Sequence, residues 1–431
     1  MESKGYYFLF SLGCKVNSYE VSCIGNELFS AGYEETDDVS KADIIILNTC
    51  SVTSVADKKS RQHIRSFRAN NASAILVVMG CYSQWNANIC IEAGADIVVG
   101  STHRDKVKRY IDDFIANKNK IVDVSKNIRK EKYEELSSSS FCENIRAYLK
   151  IQDGCNHFCS YCLIPFVRGN SRSRKKEFIL EEAKQLTNKG YKEIVITGVD
   201  IGAYGEDLYE HNSYKLSNLL EDIILSCPRL ERLRISSIDF SETDSYFLAI
   251  LAKYPQIVSH MHMSLQSGST TVLERMKRSY DVDMFFDKVS QIRSIRPDMA
   301  VTTDIIVGFP EETEEEFKET IEFCKKIKFA EIHVFPYSSR PGTAASRLKQ
   351  VDAEAKKRRV NELLALSKTL RKDYETLFID KELEILFESY DSEKKLAYGH
   401  SKNYLYVAIQ SDIDLTNQTK NIVYTEKVAI D

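Results

Sequence analysis

Three cysteines stand close together in the middle of the chain. Cys155, Cys159 and Cys162 have C-x3-C-x2-C spacing. Three thiolates on one short loop can bind three irons of a [4Fe–4S] cluster, which leaves the fourth iron open to a small molecule. A structural zinc site needs four ligands, usually as two separated pairs. His157 offers a fourth zinc ligand, but it lies between the first two cysteines, where the loop is tight. The spacing therefore favours an iron–sulfur cluster over zinc.

Three further cysteines each follow a strand predicted in the first part of the chain. The strands are Tyr6–Leu12, Ala42–Leu47 and Ala74–Met79, and the cysteines that follow them are Cys14, Cys50 and Cys81. Because the carboxyl ends of parallel strands meet at one edge of a sheet, residues far apart in sequence should converge there. One strand-end cysteine is unremarkable. Three in the same position predict a second cluster with one open iron.

The elements that position the second set are alternating strands and helices over residues 4–125. The three strands above and Asp96–Val99 are continuous and apolar, and predicted helices cover Tyr19–Phe29 and Ala56–Arg68. Continuous apolar strands that alternate with helices indicate a doubly wound parallel sheet covered on both faces.

Residues 141–370 contain further strand–helix units. Six parallel strands with helices outside predict a partial (βα)6 barrel with its site at the carboxyl ends of the strands. Five of the strands are Glu193–Gly198, Leu233–Ile238, His260–Leu265, Ala300–Val307 and Glu331–Val334. Thr313 and Glu316 predict a capping box for the helix after Pro310.

Residues 373–431 change to short alternating strands, which predict a small β-barrel. The candidates are Leu383–Glu388, Leu396–Gly399, Tyr404–Ile409 and Asn421–Val428. This segment has twelve acidic against six basic residues, and an acidic barrel is unusual for binding phosphates. Basic residues instead cluster in two places, which are either phosphate-binding surfaces or ordinary solvated faces: Lys58, Lys59, Arg61, Arg65 and Arg68, and Arg168, Arg172, Arg174, Lys175 and Lys176.

Composition sets the broad class. The chain has 431 residues and a net charge of −4, so nucleic-acid binding must come from local patches. No apolar run approaches the ~20 residues of a membrane span, and the amino terminus lacks signal-peptide features. We therefore expect a cytoplasmic protein without a membrane partner. In that reducing compartment, cysteines outside the two sets should be buried thiols: Cys23, Cys90, Cys142, Cys227 and Cys324.

The run Leu12–Asn17, the tripeptide Asn48–Cys50 and the pair Gly80–Cys81 resemble the amino-terminal domain of the methylthiotransferases. These are radical S-adenosylmethionine (SAM) enzymes that insert a methylthio group at an unactivated C–H bond. The cysteine loop, with Tyr161 before its third cysteine, is similar to the radical SAM superfamily. The resemblance implies that Cys155, Cys159 and Cys162 ligate the SAM cluster. It implies that the other set ligates an auxiliary [4Fe–4S] cluster.

The resemblance also implies two uses of SAM, as methyl donor and as source of a 5′-deoxyadenosyl radical. An electron donor such as flavodoxin or ferredoxin would be needed, and no acid–base residue is expected. Gln266 and Ser267 either face the ligands or cap a helix. The expected SAM contacts are Tyr161, Gly198, Asp200, Gly202, Gln266 and Ser267.

Residues 398–404 resemble the signature of the TRAM domain, an RNA-binding barrel. The expected RNA contacts are Arg168, Arg172, Arg174, Lys175, Asn403 and Tyr404. Within the methylthiotransferases, residues 51–61 resemble the group that modifies tRNA N6-threonylcarbamoyladenosine at position 37, beside the anticodon.

Three other interpretations remain open from the sequence. Two are methylthiotransferases, one acting on tRNA isopentenyladenosine and one acting on a ribosomal-protein aspartate. The acidic last segment favours the ribosomal protein, because a basic partner suits an acidic surface. The third is a non-catalytic metal-containing RNA-binding protein. Two sets of three cysteines argue against it, because structural metals are normally fully ligated.

Overall fold

The computed structural model describes residues 3–136, 145–239 and 243–430. The expected start of the central domain at residue 141 and the predicted core residue Cys142 lie outside this range. Cys23, Cys90, Cys227 and Cys324 are buried thiols, as predicted. Within the described parts of the chain, no helix is both long and apolar enough to cross a bilayer.

The first part of the chain forms a six-stranded parallel sheet in the order β2-β1-β3-β4-β5-β6. Alternate residues of the central strands enter two separate apolar clusters, Ile44 and Ile46 on one face and Ile45 and Leu47 on the other. Burial on both faces explains the unbroken apolar runs and confirms the predicted doubly wound sheet. The strands are β1 Tyr6–Ser11, β2 Glu34–Glu35, β3 Ile44–Thr49, β4 Ile75–Gly80, β5 Ile97–Val99 and β6 Ile121–Asp123.

Two strands of this sheet, β2 and β6, were not predicted. Both lie at edges and contain only two and three residues, too few for a periodic signal. The helices of this part are α1 Lys15–Ser30, α2 Ser54–Asn70, α3 Cys81–Trp85, α4 Ala87–Glu92 and α5 Val107–Asn117.

The central part forms the predicted partial barrel from two parallel sheets, β7-β10-β11 and β12-β13-β14-β15. Ser236 separates β11 from β12, so these two strands act as one broken barrel strand. A short antiparallel pair, β8 and β9, lies beside them. The strands are β7 Arg146–Lys150, β8 Gln152–Asp153, β9 Arg172–Ser173, β10 Glu193–Thr197, β11 Arg232–Ile235, β12 Ser237–Ile238, β13 His260–Met263, β14 Ala300–Val307 and β15 Glu331–Pro336.

Helices pack around the barrel. The predicted capping box at Thr313 is confirmed, since Thr313 Oγ1 accepts from the Glu316 N–H at 3.2 Å and Glu316 accepts in return from the Thr313 N–H at 2.9 Å. The helices are α6 Ile164–Val167, α7 Lys176–Asn188, α8 Leu216–Ser226, α9 Ser245–Lys253, α10 Thr270–Arg275, α11 Val282–Ile295, α12 Glu314–Ile327 and α13 Ala353–Thr376.

The last part is an antiparallel sheet in the order β18-β17-β16-β19. It forms a half-barrel, and Val407 pairs with Ala429 beyond the edge strand. The first three strands lie where the sequence predicted them, and the fourth, predicted at Asn421–Val428, begins and ends earlier in the chain. The four strands are β16 Glu382–Asp391, β17 Leu396–Ser401, β18 Tyr406–Gln410 and β19 Thr419–Val423.

This terminal module packs against the amino-terminal ends of the barrel strands. Arg232, the first residue of β11, donates to the backbone oxygens of His400 and Glu384 at 2.9 and 2.8 Å. Arg146, the first residue of β7, donates from Nε to Glu388 at 3.0 Å. The acidic character of the module therefore has an internal use, because two of its carboxylates neutralise arginines of the barrel, the fully buried Arg232 and the partly buried Arg146.

We predict that Arg232→Met loosens the terminal module. The substitution leaves two backbone carbonyls without their donor and removes a buried ion-pair partner, a loss of about 3 kcal/mol. Hydrogen exchange measured by mass spectrometry should show faster exchange in β16 and β17. Arg229→Met, at an exposed position on the same segment, is the matched control and should leave exchange unchanged. Equal exchange in both variants would contradict the docking role of Arg232.

Candidate active site

The cysteines Cys14, Cys50 and Cys81 lie at the carboxyl ends of β1, β3 and β4, which are neighbours in the sheet. Cys14 is the N-cap of α1 and Cys81 is the first residue of α3. Gly13 has φ +100°, and a Cβ at this position would lie 2.7 Å from Cys50 Sγ. Glycine is therefore needed for the backbone before Cys14 to pass the Cys50 thiol.

The three thiols share one electrostatic environment. Burial raises the pKa of Cys81 to about 12, Arg168 lowers it, and the charges of Cys50 and Cys14 raise it. Burial likewise raises the pKa of Cys50. Cys50 and Cys81 are buried and Cys14 is exposed. Three mutually repelling thiolates, two of them buried, need positive charge close by, which bound iron supplies. The donor set thus suits a metal cluster.

The second set lies on the loop that follows β8, and each of its sulfurs accepts a hydrogen bond. The Arg278 guanidinium donates to Cys159 Sγ at 3.3 Å. Backbone N–H groups of His157 and Ile164 donate to Cys155 and Cys162 at 3.4 Å. Donors directed at sulfur stabilise the thiolate form that binds metal.

The zinc alternative for this loop rests on a different group of atoms. Ligand atoms of Cys155, His157 and Asp200 lie within 4.8 Å of one another. His157 Nε2 is 3.2 Å from Asp200, an ion pair that raises the pKa of His157. Among the described residues, neither three-cysteine set is as compact. Thiols on separate corners of a cubane lie further apart than ligands of one ion, so this wider spacing is compatible with a [4Fe–4S] cluster and argues against a single zinc ion held by three cysteines.

A group of buried ion pairs, here called the buried ion network, joins the two cysteine sets. It consists of Glu20, Asp153, Arg104, Lys150 and Arg168, all at most 2% exposed. Glu20 comes from α1, and Asp153 lies two residues before Cys155. Arg168 bonds to Glu20 at 2.9 Å and to Asp153 at 3.0 Å, and its Nε donates to Cys81 Sγ at 3.2 Å. Arg168 therefore links the sheet cysteines to the loop cysteines.

The expectation that Arg168, Arg172 and Arg174 contact RNA phosphates is wrong. All three side chains are buried. Arg172 lies 3.6 Å from Asp153, and Arg174 pairs with Glu182 and Glu135. A buried guanidinium with carboxylate partners is not presented to a ligand in solvent. Lys175 is exposed, and its role stays a prediction.

The expected SAM contacts lie in three places. Gly198 directly follows β10, and a Cβ at this position would lie 3.0 Å from the Gln152 carbonyl oxygen. Asp200 pairs with His157, and Gly202 lies in the 3₁₀ turn Ile201–Ala203. The Tyr161 ring packs 6.4 Å from that of Phe309. For these four residues, ligand contact stays a prediction.

Gln266 and Ser267 have different environments. Gln266 has φ +73°, a conformation that non-glycine residues rarely adopt, and its contact with SAM stays a prediction. Ser267 is fully buried, and its hydroxyl accepts from the Ser269 N–H at 3.2 Å. The geometry therefore favours the capping alternative for Ser267.

A cavity of about 450 Å³, here called the central cavity, lies between the first domain and the barrel. Gly13, Cys14 and Lys15 line it from the first domain, and Thr197 and Gly198 line it from the barrel. Its far end is formed by barrel residues and by Tyr404 of the terminal module, whose ring stacks on His260 at 4.3 Å. A substrate in this cavity would touch elements from all three parts of the chain.

Sequence reasoning missed Lys15, His262 and His333, which all line the central cavity. The signal for Lys15 was its place directly after a candidate cluster ligand. Burial, followed by the charges of Arg234 and Arg146, lowers the pKa of Lys15 to about 8. Lys15 is nevertheless accessible to solvent, and its side chain lines the central cavity.

A second cavity of about 830 Å³ lies between α13 and the terminal module, and Tyr404 and Glu331 line both cavities. Its walls combine cations of α13 with rings of the module, namely Lys368, Arg371, Lys372, His400, Tyr404 and Tyr406. Asn403 is buried, and its side-chain oxygen accepts from the Ser401 hydroxyl. Asn403 thus shapes the turn that presents Tyr404, instead of facing an RNA itself.

Comparison with known proteins gives two family matches. Residues 149–324 match the Radical SAM superfamily, and residues 6–100 match Uncharacterized protein family UPF0004. The barrel with its cysteine loop, joined to a three-cysteine parallel sheet, defines a radical SAM enzyme. The structure of the radical SAM methyltransferase TsrM from Kitasatospora setae, with cobalamin and a [4Fe–4S] cluster bound, shares this fold (TM-score 0.57, 13% identity). That match covers 80% of this chain and 77% of that one.

Two sequence relatives show to which family of radical SAM enzymes the chain belongs. Threonylcarbamoyladenosine tRNA methylthiotransferase MtaB of Bacillus subtilis is 43% identical over 94% of this chain and 90% of its own length. The tRNA-2-methylthio-N(6)-dimethylallyladenosine synthase of the same organism is 32% identical over 92% of this chain and 77% of its own length. The chain belongs to the radical SAM tRNA methylthiotransferase family, whose members are transferases that use SAM and [4Fe–4S] clusters.

We predict that Cys50→Ala abolishes methylthio transfer and leaves reductive cleavage of SAM, because the altered cysteine belongs only to the sheet set. Iron in anaerobically reconstituted protein should fall from about eight to about four per chain. Cys90→Ala, which alters a buried thiol outside both sets, is the control and should keep about eight. Loss of both activities in Cys50→Ala would show that the two sets are not separate sites.

We also predict that Arg168→Gln weakens iron retention at the sheet cysteines. The substitution removes the donor to Cys81 and leaves Glu20 and Asp153 with one cation fewer, and breaking such a buried pair costs about 3 kcal/mol. Iron analysis should show partial loss, and the iron that remains should still support SAM cleavage. Lys175→Gln, at an exposed position on the same segment, should retain all iron. Full retention of iron in Arg168→Gln would contradict this role of Arg168.

Proposed function

We propose that this enzyme converts N6-threonylcarbamoyladenosine at tRNA position 37, beside the anticodon, to its 2-methylthio derivative. The central cavity supports this proposal, because Cys14 of the sheet set lines it together with Thr197 and Gly198 at the carboxyl end of β10. A base held there would lie beside the candidate auxiliary cluster, at the carboxyl end of a barrel strand. The relatives named for threonylcarbamoyladenosine support the choice of substrate.

The residues divide into three roles in this proposal. Cys14, Cys50 and Cys81 would bind an auxiliary cluster, and Cys155, Cys159 and Cys162 would bind the SAM cluster. When bound, the two clusters and SAM supply the one-electron chemistry and the methylthio group. The chain surrounds the target base, keeps bulk water away from it and fixes its distance from both sets. No described acid–base pair is assigned a proton transfer.

We place the anticodon loop on the second cavity, between α13 and the terminal module. Lys368 and Lys372 are exposed cations at its edge, suited to phosphates. Tyr404 and Tyr406 offer ring surfaces on which unpaired bases stack. Because Tyr404 also lines the central cavity, a base flipped from the loop has a short path to the reaction site.

The proposal includes two further expectations. The enzyme acts in the cytoplasm, where it meets tRNA. It takes its electron from a small redox protein such as flavodoxin or ferredoxin, which the radical cleavage of SAM requires.

Nucleoside mass spectrometry tests the function. A host that lacks the activity should gain 2-methylthio-N6-threonylcarbamoyladenosine in its tRNA when it receives this gene, and should not gain it from the gene with Cys50→Ala. Appearance of 2-methylthio-dimethylallyladenosine instead would keep the family and reject the substrate. Unchanged tRNA together with a methylthiolated aspartate in a ribosomal protein would favour that alternative.

The RNA surface has its own test. Replacing Lys368 and Lys372 together by alanine should weaken tRNA binding about tenfold and lower the slope of log affinity against log salt by about two. Fluorescence anisotropy with labelled tRNA over a salt series measures both. Lys357→Ala, an exposed lysine on the same helix outside the cavity, is the control. An unchanged slope in the double variant would exclude phosphate contact there.

A further inference from the structure

Most side chains that line the central cavity carry a polar group. Among its side chains, Val16 is the one aliphatic member of the described lining, and hydroxyls, imidazoles and charged groups make up most of the rest. A closed apolar pocket would suit a hydrocarbon substituent, whereas this lining demands hydrogen-bond partners from whatever fills it.

Lys15 is the unpaired charge of this cavity. Within the described residues, no carboxylate lies within 4.0 Å of its ammonium group. The neighbouring arginines each have an acid: Arg146 pairs with Glu388, Arg232 with Glu384 and Arg234 with Glu193. The neighbouring arginines are thus neutralised within the chain, whereas the Lys15 ammonium group has no anion of its own.

A second observation points to a ligand at the same place. His260 is more than nine-tenths buried and lines the cavity, and its Nδ1 atom has no hydrogen-bond partner among the described residues. Its other nitrogen lies 3.3 Å from Thr302 Oγ1. A buried ring nitrogen without a partner costs free energy unless a ligand or water satisfies it.

Other lining side chains include groups that accept hydrogen bonds. His262 and His333 stack at 5.5 Å and both line the cavity, as does Glu331. His262 is already engaged, with Nδ1 3.0 Å from Thr302 Oγ1 and Nε2 3.3 Å from Asp304. The cavity thus combines the cation of Lys15 with the carboxylate of Glu331 and the imidazole of His333.

We propose that Lys15 binds the carboxylate of the threonylcarbamoyl group and thereby selects this substrate. This inference rests on the proposed function. The threonylcarbamoyl group carries a carboxylate, a hydroxyl and urea N–H donors. The carboxylate pairs with Lys15, while the hydroxyl and the N–H donors meet His333 and Glu331.

The same arrangement rejects the dimethylallyl group. That substituent has no polar atom. It would displace water from Lys15 and the imidazoles without replacing the hydrogen bonds that the water makes. Sites built to bind a polar group discriminate strongly against analogues that lack it, because their own buried groups are left unpaired. The dimethylallyl group is therefore rejected because it leaves polar groups of the site unpaired, and no steric clash is required.

The test compares two anticodon stem-loop RNAs, one carrying N6-threonylcarbamoyladenosine and one carrying its methyl ester, in which a methyl group replaces the negative charge. Wild-type protein should bind the acid at least tenfold more tightly than the ester, the scale of one charged hydrogen bond. Lys15→Met should lose that preference by weakening acid binding alone. Lys15→Arg should keep a preference, and Lys120→Met, an exposed lysine elsewhere in the first domain, should behave as wild type.

Iron analysis accompanies each variant, because Lys15 follows Cys14. If Lys15→Met loses iron, the wild-type comparison of acid and ester still shows whether the site recognises the carboxylate. Equal binding of acid and ester by wild-type protein would overturn the role of Lys15, even where the tRNA product is the threonylcarbamoyl derivative. Modification of dimethylallyladenosine alone would instead overturn the proposed function, so the two failures are distinguishable.

Discussion

The structure depends on the ion pairs buried between the first domain and the barrel. Glu20 and Asp153 come from different domains and share the same cations, and Arg168 reaches from them to the sulfur of Cys81. Asp153 also accepts from the Gly154 N–H at 2.8 Å, one residue before Cys155. Burying such charges costs about as much as their attraction returns. The network is therefore better understood as fixing geometry, since any shift of either domain would leave a buried charge unpaired.

Fixing that geometry creates the central cavity. With α1 anchored through Glu20, the turn at Cys14 and Lys15 covers the carboxyl ends of the barrel strands, and Arg340 reinforces this contact by bonding to Asp57 at 2.7 Å. The terminal module closes the other end, where Tyr404 stacks on His260. Neither domain forms a cavity of this composition alone, because its lining residues come from the first domain, the barrel and the terminal module.

The predictable features were those with a periodic or positional signal. Cysteines after apolar strands converge because parallel strands end at a common edge, and the capping box at Thr313 is local. The arginines after the cysteine loop were misplaced for a physical reason. A basic run has the same sequence whether solvent or buried carboxylates neutralise it, and the partner Glu20 lies 148 residues from Arg168. Ser267 was ambiguous because a hydroxyl suits a ligand and a turn equally well.

The acidic terminal module shows why net charge was a poor guide to its partner. Glu384 and Glu388 form ion pairs with arginines of the barrel. Part of the module's negative charge is therefore neutralised within the chain and does not repel an RNA. This docking brings Tyr404 and Tyr406 next to the cations of α13. Rings can stack with bases whatever the charge of the sheet that carries them, and phosphates need cations only along their own path. Division of these two tasks between an acidic module and a basic helix allows the fold to combine a negative net charge with a surface suited to RNA.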